Sequence, residues 1–190
     1  MNIRKILKWA FNYFRLFFLK IRFGKRIIIR LKDDEGMQHP PYIAWTAKIM
    51  IDSRSKLVLE PAVYVSSYCQ IKSLSGSSIY LNSNVYIGDY SRIIARKSIT
   101  IGNYTLLANN VSIYDHDHIF SNINFHISDQ GFNSSKIFIG SDCWLATNVV
   151  VLKGTNITDH VVVGANAVIN KSIDKMGVYG GIPAKLIKKM

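Results

Sequence analysis

The chain has 190 residues, is 48% hydrophobic and carries a formal net charge of +12 at pH 7. This length allows one domain with a real core, and the hydrophobic content argues against an intrinsically disordered chain. Residues 1–32 hold ten of the 24 Lys and Arg and none of the 12 acidic residues, so the rest of the chain is nearly neutral. The basicity therefore belongs to one segment, and we expect no nucleic-acid partner for the domain.

Residues 1–32 are aromatic, aliphatic and basic, and we predict an amphipathic helix there. The longest stretch without a charge, 9–14, is far short of the roughly 20 residues needed to span a bilayer. No small-residue cleavage site follows, which argues against a signal peptide. Such a helix suits the surface of an anionic membrane, but the same apolar stripe could pack on the domain end or on a neighbouring subunit.

Residues 33–56 are predicted to form a linker that leads into the main domain, with a loop over 33–41. The main domain, 57–173, repeats an aliphatic residue at every sixth position. The longest uninterrupted run is Ile139, Leu145, Val151, Ile157, Val163 and Ile169. A helix repeats at 3.6 residues and a strand at 2, so a period of six indicates an all-β hexapeptide β-helix of short parallel strands.

The residue after the aliphatic one is often small, as at Gly88, Gly102, Gly140 and Gly164. Corners of a tightly wound coil need small residues, or residues such as Gly and Asn that tolerate a left-handed backbone. The repeat is lost over 174–190. There we predict an extended stretch followed by a short basic helix, Ala184 to Lys189.

A long break over 114–136 interrupts the repeat, and such loops on rigid scaffolds usually carry function. It begins Tyr-Asp-His-Asp-His and also contains His126. A neutral imidazole can take a proton near neutral pH, and Asp115 or Asp117 could either hold its tautomer or cap the turn. His116, His118 and His126 are also possible zinc ligands, although we expect no metal.

Three features occur in a fixed order from residue 81 to 189. They are the His-bearing loop after Val-Ser-Ile-Tyr, the run IGSDCWLATNVVVLKGTNITDHVVVGANAVINKSI, and the tail GGIPAKLIKK. In these features the chain resembles the hexapeptide-repeat acyltransferases, and within them the sugar O-acetyltransferases, which include galactoside, maltose and polysaccharide acetyltransferases. The resemblance implies a left-handed parallel β-helix, acetyl-CoA as co-substrate, a homotrimer, and active sites between neighbouring subunits.

Four positions near the expected chemistry take their roles from this resemblance. His118 matches the catalytic base, and His116, two residues away, is its competitor. Trp144 matches a residue that walls the acceptor or acetyl site, unless it packs in the trimer interface. The backbone N–H near Thr147 matches a donor to the developing oxyanion.

The resemblance also implies a binding surface for the acyl donor. Small residues would lie against the pantetheine arm, a polar pair would lie near the CoA, and basic residues would meet its phosphates. In that order the residues are Gly164 and Ala165; Asn170 and Lys171; and Lys185 and Lys188, and Ala146 is expected to belong to the same binding surface. The two lysines could instead complement the dipole of the predicted C-terminal helix.

The leading hypothesis is a cytoplasmic enzyme, peripheral at the inner membrane face, that transfers acetyl from acetyl-CoA to a sugar hydroxyl of a surface polysaccharide or its precursor. Three alternatives stay open. They are an amino-sugar or xenobiotic N- or O-acetyltransferase of the same fold, a metal-dependent hydratase of the carbonic anhydrase type, and a catalytically silent β-helix that docks at membranes. Cys69 and Cys143 have no paired-cysteine metal spacing, so we expect packed thiols in a reducing compartment.

Overall fold

The computed structural model describes residues 3–190, with side chains described at Leu7 and from Trp9 onward. Met1 and Asn2, which belong to the predicted basic segment, lie outside the described residues. One helix, α1 (Ile3–Phe23), is followed by a short 3-10 turn, Gly24–Arg26. The predicted basic helix is therefore present, but it ends at Phe23.

The rest of the described chain forms 22 strands, numbered in chain order. Sheet 1 contains β1 (Ile27–Ile29), β4 (Lys56–Leu59), β7 (Ser78–Leu81), β10 (Ser98–Ile101), β15 (Ile137–Ile139) and β18 (Asn156–Ile157). Sheet 2 contains β2 (Tyr42–Ile43), β5 (Tyr64–Val65), β8 (Tyr86–Ile87), β11 (Leu106–Leu107), β16 (Trp144–Leu145), β19 (Val161–Val163), β21 (Gly177–Gly180) and β22 (Lys185–Lys189). Sheet 3 contains β3 (Lys48–Ile51), β6 (Gln70–Ser73), β9 (Arg92–Ala95), β12 (Ser112–Tyr114), β17 (Val150–Val151) and β20 (Val168–Ile169). A separate hairpin pairs β13 (His116–His118) with β14 (Phe132–Ser134).

The predicted left-handed parallel β-helix of hexapeptide repeats is confirmed. Successive strands of the chain fall on sheets 1, 2 and 3 in turn, so each circuit is one triangular coil, and strands stack in parallel across six coils. The residues at every sixth position point inward: from Ile139 to Ile169 each is at most 1% exposed. Stacking these aliphatic side chains makes one continuous core that no single coil could form alone.

The corners of the coils partly contradict the predicted use of glycine. Asn110, Asn148 and Asn166 do adopt positive φ, as expected for asparagine at a tight turn. The small residues such as Gly102 do not have positive φ. Gly102 is needed for a different reason, since a Cβ there would lie 2.5 Å from the backbone carbon of Gly140 in the next coil.

The coils begin one circuit earlier than the sequence indicated. Residues 33–56 were expected to be a linker, but β1 already pairs in register with β4, and β2 and β3 complete a first coil. The loop over 30–41 hides this coil from a search for a six-residue period, because it inserts between β1 and β2.

Helix α1 covers the N-terminal end of the β-helix. Leu16, Leu19 and Phe23 are each at most 6% exposed and join the aliphatic core. The buried side chain of Asn12 donates to the carbonyl of Pro41 at 2.8 Å and accepts from the N–H of Ile43 at 3.2 Å, which fixes the helix on the first coil. Within residues 3–190 no helix has the length and apolar content needed to cross a membrane.

The C-terminal helix predicted over 184–189 is wrong. Residues 185–189 form strand β22, which pairs antiparallel with β21 at the edge of sheet 2. Gly177 makes this close pairing possible, because a Cβ there would lie 2.7 Å from both Leu186 Cδ1 and the carbonyl oxygen of Lys188. The edge of sheet 2 offers unpaired backbone groups, and their hydrogen bonds outweigh the weak helical pattern of the tail.

Cys69 and Cys143 are both free and buried in the core, at 0% and 1% exposure. Burial raises the pKa of Cys69 to about 11 and also raises the pKa of Cys143. Each thiol lies near a backbone carbonyl, that of Gly88 for Cys69 and that of Thr158 for Cys143. Both cysteines are therefore packed, unreactive side chains, as the sequence predicted.

Two neighbouring leucines test the inward and outward alternation that holds the coils together. Leu107 is fully buried in β11, whereas Leu106 is 47% exposed. We expect Leu107→Ala to lower the free energy of unfolding by about 2–5 kcal/mol because it leaves a cavity in the aliphatic column. Leu106→Ala is the matched control and should cost about 0.5 kcal/mol or less. Chemical denaturation at one protein concentration measures both, and equal losses would contradict the assignment of the core.

Candidate active site

The break in the repeat forms a hairpin at one corner of the β-helix. It leaves sheet 3 at the end of β12 and returns to sheet 1 at β15, so it projects from the corner between these two sheets. Strands β13 and β14 pair antiparallel, with His118 opposite Phe132 and His116 opposite Ser134. The residues expected to be an irregular loop therefore include an ordered base that carries both histidines.

Asp115 anchors this hairpin to the coil below it. The carboxylate is fully buried. It accepts three backbone N–H groups, from Arg96 and Lys97 at 2.7 Å each and from Ser98 at 2.8 Å. Its own backbone carbonyl accepts the N–H of Ser135, where the hairpin returns to the coil, at 2.8 Å. A charged acceptor with this many donors is held firmly, so Asp115 fixes both ends of the hairpin.

His116 is oriented by that same carboxylate. Its Nδ1 lies 3.1 Å from Asp115 Oδ1, and only 13% of its side chain is exposed. A proton on Nδ1 that is donated to Asp115 leaves Nε2 as the acceptor. His116 also borders a cleft of about 480 Å³ at the corner where the strands of sheet 3 end, lined by Tyr114, His116, Asp117, Leu152, Lys153 and Asn170.

His118 lies on the same face of β13 as His116, because residues two apart in a strand share a face. Its ring is exposed and packs against Phe132, with ring centroids 4.3 Å apart. The guanidinium of Arg96 stacks on Phe132 at 3.4 Å from the ring centroid. The imidazole of His118 is thus held by an aromatic ring that carries a cation on it, and the residue remains exposed.

Asp117 points to the opposite side of the hairpin from the two histidines. Its carboxylate pairs with Lys153 Nζ at 3.1 Å, in the turn that follows β17. This ion pair ties the hairpin to the next coil. Of the two aspartates considered in the sequence, Asp115 is the one that contacts a histidine.

Some of the predicted site residues lie in two columns along sheet 2: Trp144, Ala146, Gly164, Lys185 and Lys188. In one column Trp144 aligns with Val162, then Val178, then Lys188. Trp144 is 51% exposed and points outward.

The second column lies two residues further along the chain than the first, at Ala146, Gly164 and Gly180. The N–H of Ala146 donates to Val163, and the N–H of Gly164 donates to Tyr179 at 2.7 Å. Gly180 follows Tyr179 and pairs with Lys185. The column therefore runs through small residues, from Ala146 through Gly164 and Gly180, to the lysine.

Lys185 and Lys188 reach the same outward side of sheet 2, although they are three residues apart. A register shift in β22 pairs Lys185 with Gly180 and Lys188 with Val178. Both partners alternate with the buried Tyr179, so they face outward. The two lysines remain together, but on a strand and not on a helix, so the alternative role at a helix dipole does not apply.

Thr147 and Ala165 occupy exposed turns at the corner between sheets 2 and 3, one coil apart. Asn148 and Asn166 follow them, and the amide of Asn148 donates to that of Asn166 at 2.9 Å, which stacks the two turns. Among the hydrogen bonds of residues 3–190, the N–H of Thr147 has no acceptor. It is thus available to a ligand.

One chain does not bring all the predicted residues together. The histidines and Asn170 lie at the corner between sheets 3 and 1, and exposed Lys171 follows Asn170 there. Trp144 and the two columns lie on sheet 2, the face opposite that corner. Side chains on these two surfaces can meet only across neighbouring chains.

The zinc alternative drew on His116, His118 and His126. Across the described part of the chain no three His, Cys, Asp or Glu side chains converge as a set of metal ligands. His126 lies at the far end of the hairpin loop, before a 3-10 turn over Ile127–Asp129.

Sequence reasoning missed three residues that shape the site: Phe132, Arg96 and Lys153. Phe132 and Arg96 hold His118, and Lys153 holds Asp117. None of the three follows from the period of six, since each contact joins residues that are distant in sequence. The Gly131-Phe132 pair that ends the loop was the one local signal for a returning strand.

The chain is similar to known proteins. Residues 136–171 match the family model "Bacterial transferase hexapeptide (six repeats)". A putative lipopolysaccharide biosynthesis O-acetyl transferase, WbbJ, from Escherichia coli K12 is 42% identical over 118 residues, 58% of this chain and 60% of the relative. Galactoside O-acetyltransferase from the same organism is 29% identical over 133 residues, 70% of this chain and 60% of the relative. The chain thus spans about 60% of the length of each of these curated relatives.

The fold also matches a solved structure. A variant of AntD, an N-acyltransferase from Bacillus cereus in complex with dTDP-4-amino-4,6-dideoxyglucose and Coenzyme A, superposes with a TM-score of 0.72. The match covers 89% of this chain and 86% of that chain, at 15% sequence identity. At this identity the likeness concerns the fold.

The anchoring role of Asp115 predicts a loss of stability that its neighbour Asp117 does not share. We expect Asp115→Asn to lower the free energy of unfolding by about 1.5–3 kcal/mol, because buried N–H groups lose a charged acceptor. Asp117→Asn removes a carboxylate whose side chain is 51% exposed and should cost at most about 1 kcal/mol. Urea denaturation compares the two isosteric changes, and an unaltered midpoint for Asp115→Asn would contradict the anchor.

Proposed function

Because the chain belongs to the hexapeptide-repeat transferase family, we propose that it is an acetyl-CoA-dependent O-acetyltransferase whose acceptor is a sugar hydroxyl of a surface glycan or its precursor. One observation carries the proposal. A hairpin bearing two histidines is inserted into the hexapeptide coils and fixed there by a buried carboxylate. A rigidly held imidazole at the surface is the group that acyl transfer to a hydroxyl requires.

Sheet 2 supports binding of the acyl donor. The column of Ala146, Gly164 and Gly180 presents little side-chain bulk, so an extended chain such as pantetheine can lie against it. Lys185 and Lys188 project from the far end of the two columns, where they can meet phosphates. The Coenzyme A named with the Bacillus cereus structure supports the same class of donor.

The relatives support a sugar acceptor. The name of the Escherichia coli relative at 42% identity refers to lipopolysaccharide biosynthesis and to O-acetyl transfer, and the second relative is named for galactoside. We therefore favour a sugar hydroxyl over an amine. An amine is the better nucleophile and would depend less on a general base, which the variant below can distinguish.

In the proposed reaction His118 takes the proton as the sugar oxygen attacks the thioester carbonyl carbon. The carbonyl oxygen gains a negative charge in the tetrahedral intermediate, and the free N–H of Thr147 is the proposed donor to it. The carbon–sulfur bond then breaks, and the imidazolium returns its proton to the departing CoA sulfur. The products are the O-acetyl sugar and CoA, with no acyl-enzyme.

The proposal requires more than one chain in the active site. His118 and Trp144 lie on opposite sides of the β-helix, so the acyl donor on sheet 2 of one chain would meet the hairpin of its neighbour. Trp144 is 51% exposed and supplies apolar surface for such a contact. We propose a homotrimer. Each chain would contact the next through two different surfaces, sheet 2 and the hairpin corner, and three is the smallest number of chains that closes such head-to-tail contacts into a ring.

The proposal includes a cytoplasmic location, supported by the unpaired cysteines.

The general base is tested by His118→Ala. We expect kcat to fall by about 10²- to 10⁴-fold with acetyl-CoA and a glycan acceptor, because the proton then has no acceptor. The melting temperature should be unchanged, since the ring of His118 is exposed. The measurement is initial rate by release of the CoA thiol.

His160→Ala is the matched control, because His160 is an exposed imidazole paired with Asp142 at 2.7 Å on another corner. It should retain full activity. His116→Ala is expected to reduce activity by less than His118→Ala, and the opposite order would assign the base to His116. A loss of less than about tenfold for His118→Ala would favour the amine acceptor over the hydroxyl.

The acyl-donor surface is tested by a thermal-shift titration with acetyl-CoA and with free CoA. A ligand at 100 times its Kd stabilises the folded state by about 2.7 kcal/mol, which gives a measurable rise in Tm. We expect Lys185→Glu to weaken the response, because it reverses a charge at the proposed phosphate position. Lys189→Glu makes the same charge change on the same strand. Lys189 is exposed but pairs with the buried Gly177, so it does not share the outward side of Lys185, and its substitution should leave the titration unchanged. A flat response of the folded wild-type protein to both ligands would overturn the proposal.

A further inference from the structure

Helix α1 has two apolar faces, and only one of them is used by the fold. The inner face carries Leu16, Leu19 and Phe23, which are buried on the first coil. With 3.6 residues per turn, Leu7, Phe14 and Ile21 form one line nearly opposite to that face. These three are 51%, 53% and 64% exposed.

The outward face is broad and aromatic. Phe11, Phe17 and Phe18 lie on either side of the central line and are 59%, 60% and 47% exposed. Phe14 and Phe18 contact each other with ring centroids 4.5 Å apart. Most amphipathic helices of globular proteins present polar residues opposite their buried face, so this arrangement implies a second apolar environment.

The apolar surface continues from the helix onto the first coil. The ring centroids of Phe14 and Trp45 lie 6.3 Å apart, and Trp45 is 51% exposed. Phe11, Asn12, Phe14, Tyr42, Ile43 and Trp45 line a cleft of about 450 Å³ with mainly apolar walls. The exposed patch therefore spans the N-terminal end of the β-helix, away from the hairpin that carries the histidines.

The charges around this face select its partner. Lys20 and Arg22 lie about 100° to either side of the face on the helix, and Lys25 follows the helix. All three are exposed, and in the part of the chain described here none of them joins a salt bridge. A second copy of the chain would bring the same excess of positive charge against this one, since residues 1–32 contain ten basic and no acidic residues. An anionic surface neutralises that charge instead.

We infer that the outward face of α1, together with Trp45, docks on an anionic lipid bilayer. The helix lies in the plane of the interface, with its aromatic side chains between the headgroups and acyl chains and its lysines and arginines at the phosphates. No helix among residues 3–190 can span the bilayer, so the contact is peripheral.

This orientation determines the height of the proposed active site above the bilayer. Strands of a parallel sheet are about 4.8 Å apart, so the cleft beside His116, lined by coils four to six, lies about 14–24 Å above the first coil. The hairpin and the cleft then face the aqueous side, within reach of an acceptor held at the membrane surface. The docking itself does not depend on acetyl transfer and is tested without any substrate.

The test is flotation of the full chain with vesicles of phosphatidylcholine, with and without phosphatidylglycerol. We expect the wild-type protein to float with the anionic vesicles and to dissociate as salt is raised. Phe14→Asp with Ile21→Asp should reduce the partition coefficient at least about tenfold, because two apolar anchors are replaced by repelled charges. The control, Ile123→Asp with Met176→Asp, makes the same change at side chains 96% and 55% exposed elsewhere and should bind as the wild type does.

Lys20→Gln with Arg22→Gln leaves the apolar face intact and tests the charge alone. Each removed charge should lower binding to anionic vesicles by about fivefold. Absence of wild-type binding to anionic vesicles, with circular dichroism showing a folded protein, would overturn the inference. It would equally be overturned if the wild type formed concentration-dependent assemblies that Phe14→Asp with Ile21→Asp dissolved, since a second copy would then occupy the face.

Discussion

The stacking of one coil on the next is the constraint on which this structure depends. Each coil must place an aliphatic side chain inward on every side of the triangle, directly above the same position of the coil before it. Ile101, Ile139 and Ile157 show this register on sheet 1, and all three are fully buried. Hydrogen bonding between parallel strands sets the distance between coils. The corner residues must therefore lack a side chain where two coils are in closest contact, as at Gly102 and Gly140.

A rigid stack tolerates an insertion only at a corner, because an insertion within a strand would break the register of every neighbour. The hairpin over 116–134 obeys this limit and leaves the core unchanged, since Ile113 before it and Ile137 after it are both buried. Its position is then fixed by few contacts. Asp115 ties its two ends to the coil below, Asp117 ties it to the coil above through Lys153, and Phe132 with Arg96 holds the exposed histidine. The proposed chemistry thus depends on a segment that is outside the repeat but anchored to it from both sides.

A solenoid also has two open ends, and each exposes unpaired backbone groups that must be covered. At the N-terminal end α1 covers the first coil with its inner face, through Leu16, Leu19 and the hydrogen bonds of Asn12. At the other end β21 and β22 extend sheet 2, and the same strand carries the two lysines proposed to meet the acyl donor. Helix α1 and the β21–β22 pair therefore each present a second, outward face. We propose that the outward face of α1 contacts a lipid surface and that the outward face of β22 contacts the phosphates of the acyl donor.

The repeating parts of this protein follow from its sequence alone. The period of six over 139–169 required a stack of parallel strands, because no other regular structure returns one side chain to the core at that interval. It also located the break in which Asp115, His116 and His118 lie, since a departure from a strict repeat is visible without any structure.

Tertiary structure decided what the repeat does not encode. The tail became a strand because the edge of sheet 2 lay beside it, and a shift of register then turned Lys185 and Lys188 to one side. The first coil was recognisable only through its pairing with the second, since a loop divides its period. Phe132 contacts His118 because the two strands that carry them, 14 residues apart in sequence, pair antiparallel. The inner and outward faces of α1 differ only in that one of them is buried against the first coil. Local pattern fixes which residues can be buried, but contacts between distant residues choose the partner, and only folding creates those contacts.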